Sequence, residues 1–286
     1  MTKYIFVSDI FLEDYIGGAE LTSEALINFN KAEVVKKRCL EIDIEFVKQN
    51  KDKFWIFGNF ATLQREILVY FIKNNISYCI VEYDFKLCKY RSPEKHKFIE
   101  KQDCSCDKDI HGKIISLFFS KSKINWFMSQ RQQEVYEDKF EFLNNSNNIV
   151  LSSVFTESTL KKIKSYKVKK NNKWLVLNSQ SWIKGTKGCV AYAKKNNLEY
   201  SLVGGLSYED MLKSLASSKG LIFLPHGSDT CPRIVIEAKL LGCKLILNDN
   251  VLHKDEGWFI SNKKEVAAYL KSRPKYFWKT VEKVWS

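Results

Sequence analysis

Proline and glycine are scarce in this chain, four and twelve in 286 residues. That excludes collagen-like and linker-dominated chains. No run approaches the ~18 consecutive apolar residues of a membrane helix. The opening MTKYIFVSDIFLEDY places acids where a secretory leader would stay apolar, so a cytoplasmic protein is expected. Arginine is scarce as well: six residues (38, 65, 91, 131, 233 and 273) against forty lysines. Arginine is the usual bidentate reader of phosphates and bases, whereas lysine acts as a mobile point charge. The net charge of +13 therefore reads first as a solvated lysine surface. It would equally serve an acidic substrate such as a nucleotide diphosphate.

Eight cysteines are too few and too scattered for a disulfide framework in a chain of this length. Cys79, Cys189 and Cys243 lie in apolar runs and read as small buried hydrophobes. Cys88, His96, Cys104, Cys106 and His111 are five soft donors within one short polar stretch. C-x-C is a poorer chelating spacing than C-x2–4-C, so the expectation is reduced thiols and no metal, with zinc at these residues as the alternative.

What is present is ample core material. Hydrophobic residues make up 45%, aromatics 14% and charged residues 28%, a composition that excludes a disordered chain. The length suits two modest domains. Short apolar runs recur at 3–9 (KYIFVSD), 42–46, 54–57, 78–81, 124–128 and 149–151, with helical patterns between several of them, clearest at 61–73. Such alternation predicts a parallel α/β sheet. Residues 156–172 turn lysine-rich and polar, as a domain junction would. A second alternation follows: strands at 174–178, 200–203, 220–224 and 244–248, helices at 186–196, 208–217 and 232–241. The last segment, 274–285, reads as an amphipathic helix that docks on the rest. The expected division is 1–165, 166–272 and a terminal helix 273–286, with two Rossmann-like units.

Three features carry chemistry. Gly17-Gly18 follows the first strand and Glu20 opens the next helix, so backbone amides there could approach an anion. The full G-x-G-x-x-G fingerprint is absent, which disfavours a nicotinamide enzyme. Lys184-Gly185 follows the first strand of the second half, at the carboxyl edge where α/β sheets bind ligands. The strongest is Pro225-His226-Gly227-Ser228-Asp229-Thr230-Cys231-Pro232-Arg233-Ile234-Val235-Ile236-Glu237. A strand runs into a small-residue loop, Pro232 suits a first helical turn, and the amides of Arg233 and Ile234 would point at an anion. Asp229 and Glu237 are then placed to grip hydroxyls of a sugar and a ribose.

On these residues the sequence resembles the GT-B glycosyltransferases, the large retaining group that includes glycogen-synthase-like and lipopolysaccharide or capsule sugar transferases. Gly17, Gly18 and Glu20 match its G-G-x-E loop, Lys184-Gly185 its K-G, and Asp229, seven residues, then Glu237 its acid-x7-Glu motif. The departures are Ser179 where the family has arginine, Asp229 for its usual Glu, Thr230-Cys231-Pro232 for its G-F-G, and Tyr83 for the histidine of its His-Asp pair, with Asp84 kept. The resemblance implies two Rossmann-like domains with parallel sheets facing across a cleft. It also implies metal-independent, retaining transfer from a nucleotide-diphosphate sugar, a co-substrate with no further cofactor, to an acceptor hydroxyl on a glycan, a small molecule or DNA. Lys184, Arg233 and Ile234 would hold the diphosphate, Glu237 the ribose and Asp229 the sugar. His226, Asp84 and Glu82 are the candidates beside the reacting centre. The rival readings are phage-type glucosylation of DNA bases and a non-catalytic nucleotide-sugar or nucleic-acid binding protein.

Overall fold

A computed structural model describes residues 2–285. Two compact units divide the chain: the first runs to Val154 and takes up the segment from Ser272 onward, and the second is Phe155–Lys271.

In the first unit six strands form one parallel sheet: β1 (Tyr4–Ser8), β2 (Val34–Arg38), β3 (Phe54–Phe57), β4 (Tyr78–Glu82), β5 (Asn125–Phe127) and β6 (Asn148–Val150). Their order is β2-β1-β3-β4-β5-β6. Every residue of β1, β3 and β4 is buried, as expected of parallel strands covered by helices on both faces. One core layer is aromatic. The Phe71 and Phe118 rings meet Phe57 edge-on at 5.1 Å, and Tyr78 stacks on Phe118 at 4.3 Å while donating its hydroxyl to the Phe118 carbonyl. Offset and edge-to-face contacts of this kind favour a fixed core geometry.

Residues 42–46 (IDIEF) do not form the expected strand. A 3-10 turn (Cys39–Glu41) leads into helix Ile44–Gln49, because Asp43 accepts a hydrogen bond from the Phe46 amide and caps it. The second strand lies just before, in VVKKR, whose three basic residues, half-buried in the structure, hide it from an apolar-run search. It is an edge strand paired with β1 (Tyr4↔Val34), and Lys36 and Arg38 are held by Glu24 and Asp14.

The second unit carries a four-stranded parallel sheet: β7 (Trp174–Leu177), β8 (Tyr200–Val203), β9 (Gly220–Phe223) and β10 (Lys244–Leu247), in the order β10-β9-β7-β8. Trp174, Val176, Cys189, Ala193 and Ile222 form one of its core clusters. The lysine-rich stretch after residue 156 is less a junction than an element. Thr156 caps helix Glu157–Ser165, and Ile163 of that helix is buried, so the division falls at Val154 rather than near residue 165. The terminal helix is also longer than the sequence suggests, Lys263–Trp285 with Pro274 inside it. Its final part belongs to the first unit, where Arg273 donates to the carbonyls of Val150 and Leu151 and the Trp278 indole to that of Leu26.

Candidate functional site

Strand order fixes where each sheet can take a ligand. When successive strands leave a central strand in opposite directions, their connecting loops part at its carboxyl end and leave a crevice. In the second sheet this switch lies between β7 and β9. Lys184 comes from the turn Trp182–Lys184 after β7, and Asp229 from the loop after β9. Lys184 Nζ meets Asp229 Oδ2 at 2.6 Å, so the pair spans the switch.

Gly185 lets the two loops come this close. Its φ of +64° suits glycine, and a Cβ there would run into the Leu224 carbonyl oxygen. The His226 amide donates to the Ile183 carbonyl at 2.9 Å. The exposed His226 ring lies 5.6 Å from Trp182, centroid to centroid. Asp229 is steadied through its backbone, with its amide donating to Asn250 O and its carbonyl accepting from Leu252 N.

Helix Arg233–Leu240 starts immediately beyond this loop, with Pro232 as its cap. The first-turn N–H groups, that of Ile234 among them, have no partner within the helix and give that end partial positive charge. Arg233 is placed differently from the expected diphosphate ligand. Its side chain is 4% exposed, bonds Glu237 Oε1 through Nε at 3.0 Å, and lays its guanidinium 3.6 Å from the Phe155 ring centre. Glu237 is equally buried, and its Oε1 also accepts from the Tyr208 hydroxyl at 2.6 Å. Burial raises the Glu237 carboxyl, opposed by Arg233 and Tyr208. Tyr208 could not be read from the sequence, since only the packing of its helix brings it to Glu237.

In the first unit the switch lies between β1 and β3. Asp9, at the end of β1, accepts from the amides of Ala61 and Thr62 and from the Thr62 hydroxyl beyond β3. Asp84, after β4, is held by Arg91, which also reaches Asn59 Oδ1 at 2.8 Å. Lys86 lies 3.6 Å from the other Asp84 oxygen. Burial works against the Asp84 charge, but Lys86 and Arg91 outweigh it and hold the carboxyl below its ordinary value. Arg91 had no signal in the sequence beyond the scarcity of arginine itself.

Glu82 is walled in. It is fully buried, pairs with Lys86 at 3.0 Å and accepts from the amides of Asp84 and Lys86, so it fastens the loop after β4. Gly17 caps helix Gly18–Phe29 in an extended conformation, not a left-handed one. A Cβ there would meet Glu20 Oε2 and the exposed Tyr15 ring, side-chain atoms rather than backbone. Glu20 is buried, and that burial raises its carboxyl against the attraction of Arg91. Tyr83 shares a 2.7 Å hydrogen bond with the Ser23 hydroxyl.

Of the five soft donors, Cys88, His96, Cys104 and Cys106 converge, with their ligand atoms all within 4.8 Å of one another. His111 stands apart, its Nε2 against the Lys86 carbonyl oxygen at 2.8 Å.

Two units of parallel sheet, each with a switch crevice at its strand ends, define a GT-B fold. Solved structures agree. Anabaena HepE in complex with UDP-glucose superposes with a TM-score of 0.55 at 10% identity, over 99% of this chain and 97% of that one. The UDP-forming trehalose-phosphate synthase of Burkholderia xenovorans gives 0.52 at 8% identity, over 99% and 96%. No protein-family model and no curated protein sequence matches the chain.

Proposed function

We propose that this protein is a glycosyltransferase that moves a sugar from a nucleotide-diphosphate sugar to an acceptor hydroxyl. The observation that carries the reading is the Lys184–Asp229 pair over the switch of the second sheet, beside the start of helix Arg233–Leu240. A lysine and a helix N-terminus together suit a diphosphate. In transfer, the bond between the anomeric carbon and the diphosphate oxygen breaks, and negative charge grows on the leaving group. Lys184, 31% exposed, and the helix start are the groups that would stabilise that charge without a metal ion. Asp229, released from Lys184 by the incoming diphosphate, would accept from sugar hydroxyls. Glu237 takes both its bonds on Oε1, which leaves Oε2 to accept from the ribose. Arg233 then acts as a positioning residue, fixing Glu237 rather than touching the diphosphate. His226 lies exposed on the same loop and is the candidate to hydrogen-bond the sugar or the diphosphate.

On the first unit, Asp84 is held ionised by Lys86 and Arg91, which suits orienting a hydroxyl or balancing positive charge better than donating a proton. Glu82 has no access to substrate. A first-unit pocket of about 200 Å³ is lined by apolar residues such as Phe60, Leu63 and Ile115 together with Arg65, Lys89, Arg91 and His111, a mixture that suits an acceptor with an apolar face and an acidic group. DNA is one such acceptor, in keeping with the net charge of +13.

The UDP-glucose bound by HepE makes UDP sugars the first donors to try. The test is release of nucleoside diphosphate from a panel of UDP, GDP, ADP and dTDP sugars, with and without acceptors. Release from one donor that is lost in Lys184→Met supports the reading. No release and no binding with any donor would sink it.

A further inference from the structure

The four soft donors Cys88, His96, Cys104 and Cys106 come from three separate stretches: the turn after β4, helix Pro93–Glu100, and the loop before helix Ile110–Lys121. Three of them are buried, and Cys104 is half-buried. His96 Nδ1 faces two thiols, 3.7 Å from Cys88 Sγ and 3.4 Å from Cys106 Sγ. A tetrahedral zinc ion with Zn–S of about 2.3 Å and Zn–N of about 2.0–2.1 Å sets its sulfur and nitrogen ligands about 3.6 Å apart. The observed separations bracket that value. Ordinary thiol packing does not require four soft donors from three segments to converge on one point.

We infer that Cys88, His96, Cys104 and Cys106 form a structural zinc site, with three thiolates and His96 Nδ1 as ligands. Three sulfurs and one imidazole in a closed, four-ligand arrangement suit zinc, and no position is left open for water, so the ion is structural. Binding releases the three thiol protons and fixes the His96 proton on Nε2. The sequence spacing argued against the site because C-x-C chelates poorly by itself. Here, however, Cys104 and Cys106 are joined by Cys88 and His96 from across the turn.

The site has a consequence for Asp84. Arg91 lies three residues after Cys88, and both Arg91 (φ +58°) and Lys101 (φ +59°) hold left-handed backbone without being glycine. Such conformations persist where surrounding structure over-determines them. A zinc ion joining Cys88 to His96, Cys104 and Cys106 closes the segment on both sides of these residues. It thereby holds the Arg91 guanidinium on Asp84 and Asn59. The zinc site acts through Arg91 and is not itself a catalytic group.

The test uses the full chain, purified under reducing conditions without chelator. Elemental analysis should find about one zinc per chain. Cys106→Ser and His96→Gln should each bring this close to zero, whereas Cys243→Ser, outside the group, should leave it unchanged. After chelator treatment, added cobalt should give the visible bands of a tetrahedral thiolate site. Should Cys106→Ser fail to fold, the half-buried Cys104→Ser gives the same readout. A parent protein without zinc whose cobalt spectrum stays that of the hydrated ion would overturn the inference. So would a disulfide within the four on peptide mapping of freshly purified protein. Neither result bears on donor binding, which is read separately.

Discussion

Glu237 is the obvious residue to remove when testing donor binding, but the structure makes its alanine variant a stability experiment first. Arg233 and Glu237 are each 4% exposed at the side chain and 3.0 Å apart, and the Tyr208 hydroxyl rests on the same carboxylate oxygen. Glu237→Ala takes the carboxylate from a buried guanidinium and from the hydroxyl of the half-buried Tyr208 together. Breaking a buried pair by removing one partner costs about 3–5 kcal/mol. For a unit the size of Phe155–Lys271, about 4 °C of melting temperature is lost per kcal/mol. Glu237→Ala should therefore melt about 12–20 °C below the parent by calorimetry. Glu237→Gln keeps an oxygen at Oε1 for Arg233 and Tyr208 but removes the counter-charge of the buried guanidinium, and should lose less than Glu237→Ala while still melting below the parent. Replacing both charges by apolar groups of similar volume, Arg233→Met with Glu237→Leu, should recover most of the loss, because no buried charge then lacks its partner. If Glu237→Ala melts within about 2 °C of the parent, or the double variant is no better than the single, the buried pair does not carry this energy and the reasoning fails.

Other perturbations follow from the same geometry. Gly185→Ala forces an L-residue to φ +64° and a methyl group into the Leu224 carbonyl; a loss of about 2–3 kcal/mol on urea unfolding is expected, and a neutral result would contradict the loop contact. Lys184→Met should weaken binding of the nucleotide-diphosphate sugar by about 10- to 100-fold in calorimetric titration, the worth of one charge-assisted contact. His253 is fully buried beside Trp258 and Phe259, and burial lowers its pKa to about 3. Unfolded, it titrates near 6.5, so between about pH 6.5 and 3 the unfolded chain binds the extra proton. Stability should then fall by about 1.4 kcal/mol per pH unit as acid is added in that window. His253→Phe should remove that part of the slope, and an unchanged slope would count against a neutral buried ring.

How much of this was legible in the sequence differs between the two units. The second unit's sheet was readable because its strands are short apolar runs between small-residue loops, and the loops that meet at its switch carry their own signal in Lys184-Gly185 and 225–232. The first unit's buried strands were readable for the same reason, whereas its edge strand was not. VVKKR has the polarity of a surface segment, and IDIEF alternates like a strand although Asp43 makes it a helix. Long-range partners were invisible. Tyr208 on Glu237, Arg91 on Asp84 and the separation of His96 from His111 depend on packing between elements far apart in sequence, for which no local pattern exists. Arg233 shows the other limit. Its position at a helix start suggested a phosphate ligand, but an apolar surface at Phe155 and a carboxylate one turn on drew it inward.

The most direct test of the donor site is the melting temperature of the parent chain and of Glu237→Gln, each measured against a panel of UDP, GDP, ADP, CMP and dTDP sugars. A ligand at about 100 times its dissociation constant adds about 2.7 kcal/mol, several degrees in a unit of this size. Stabilisation of the parent by one nucleotide sugar, much reduced in Glu237→Gln, is the expected result. No stabilisation of the parent by any of them would contradict a donor site at Lys184, Asp229 and Glu237.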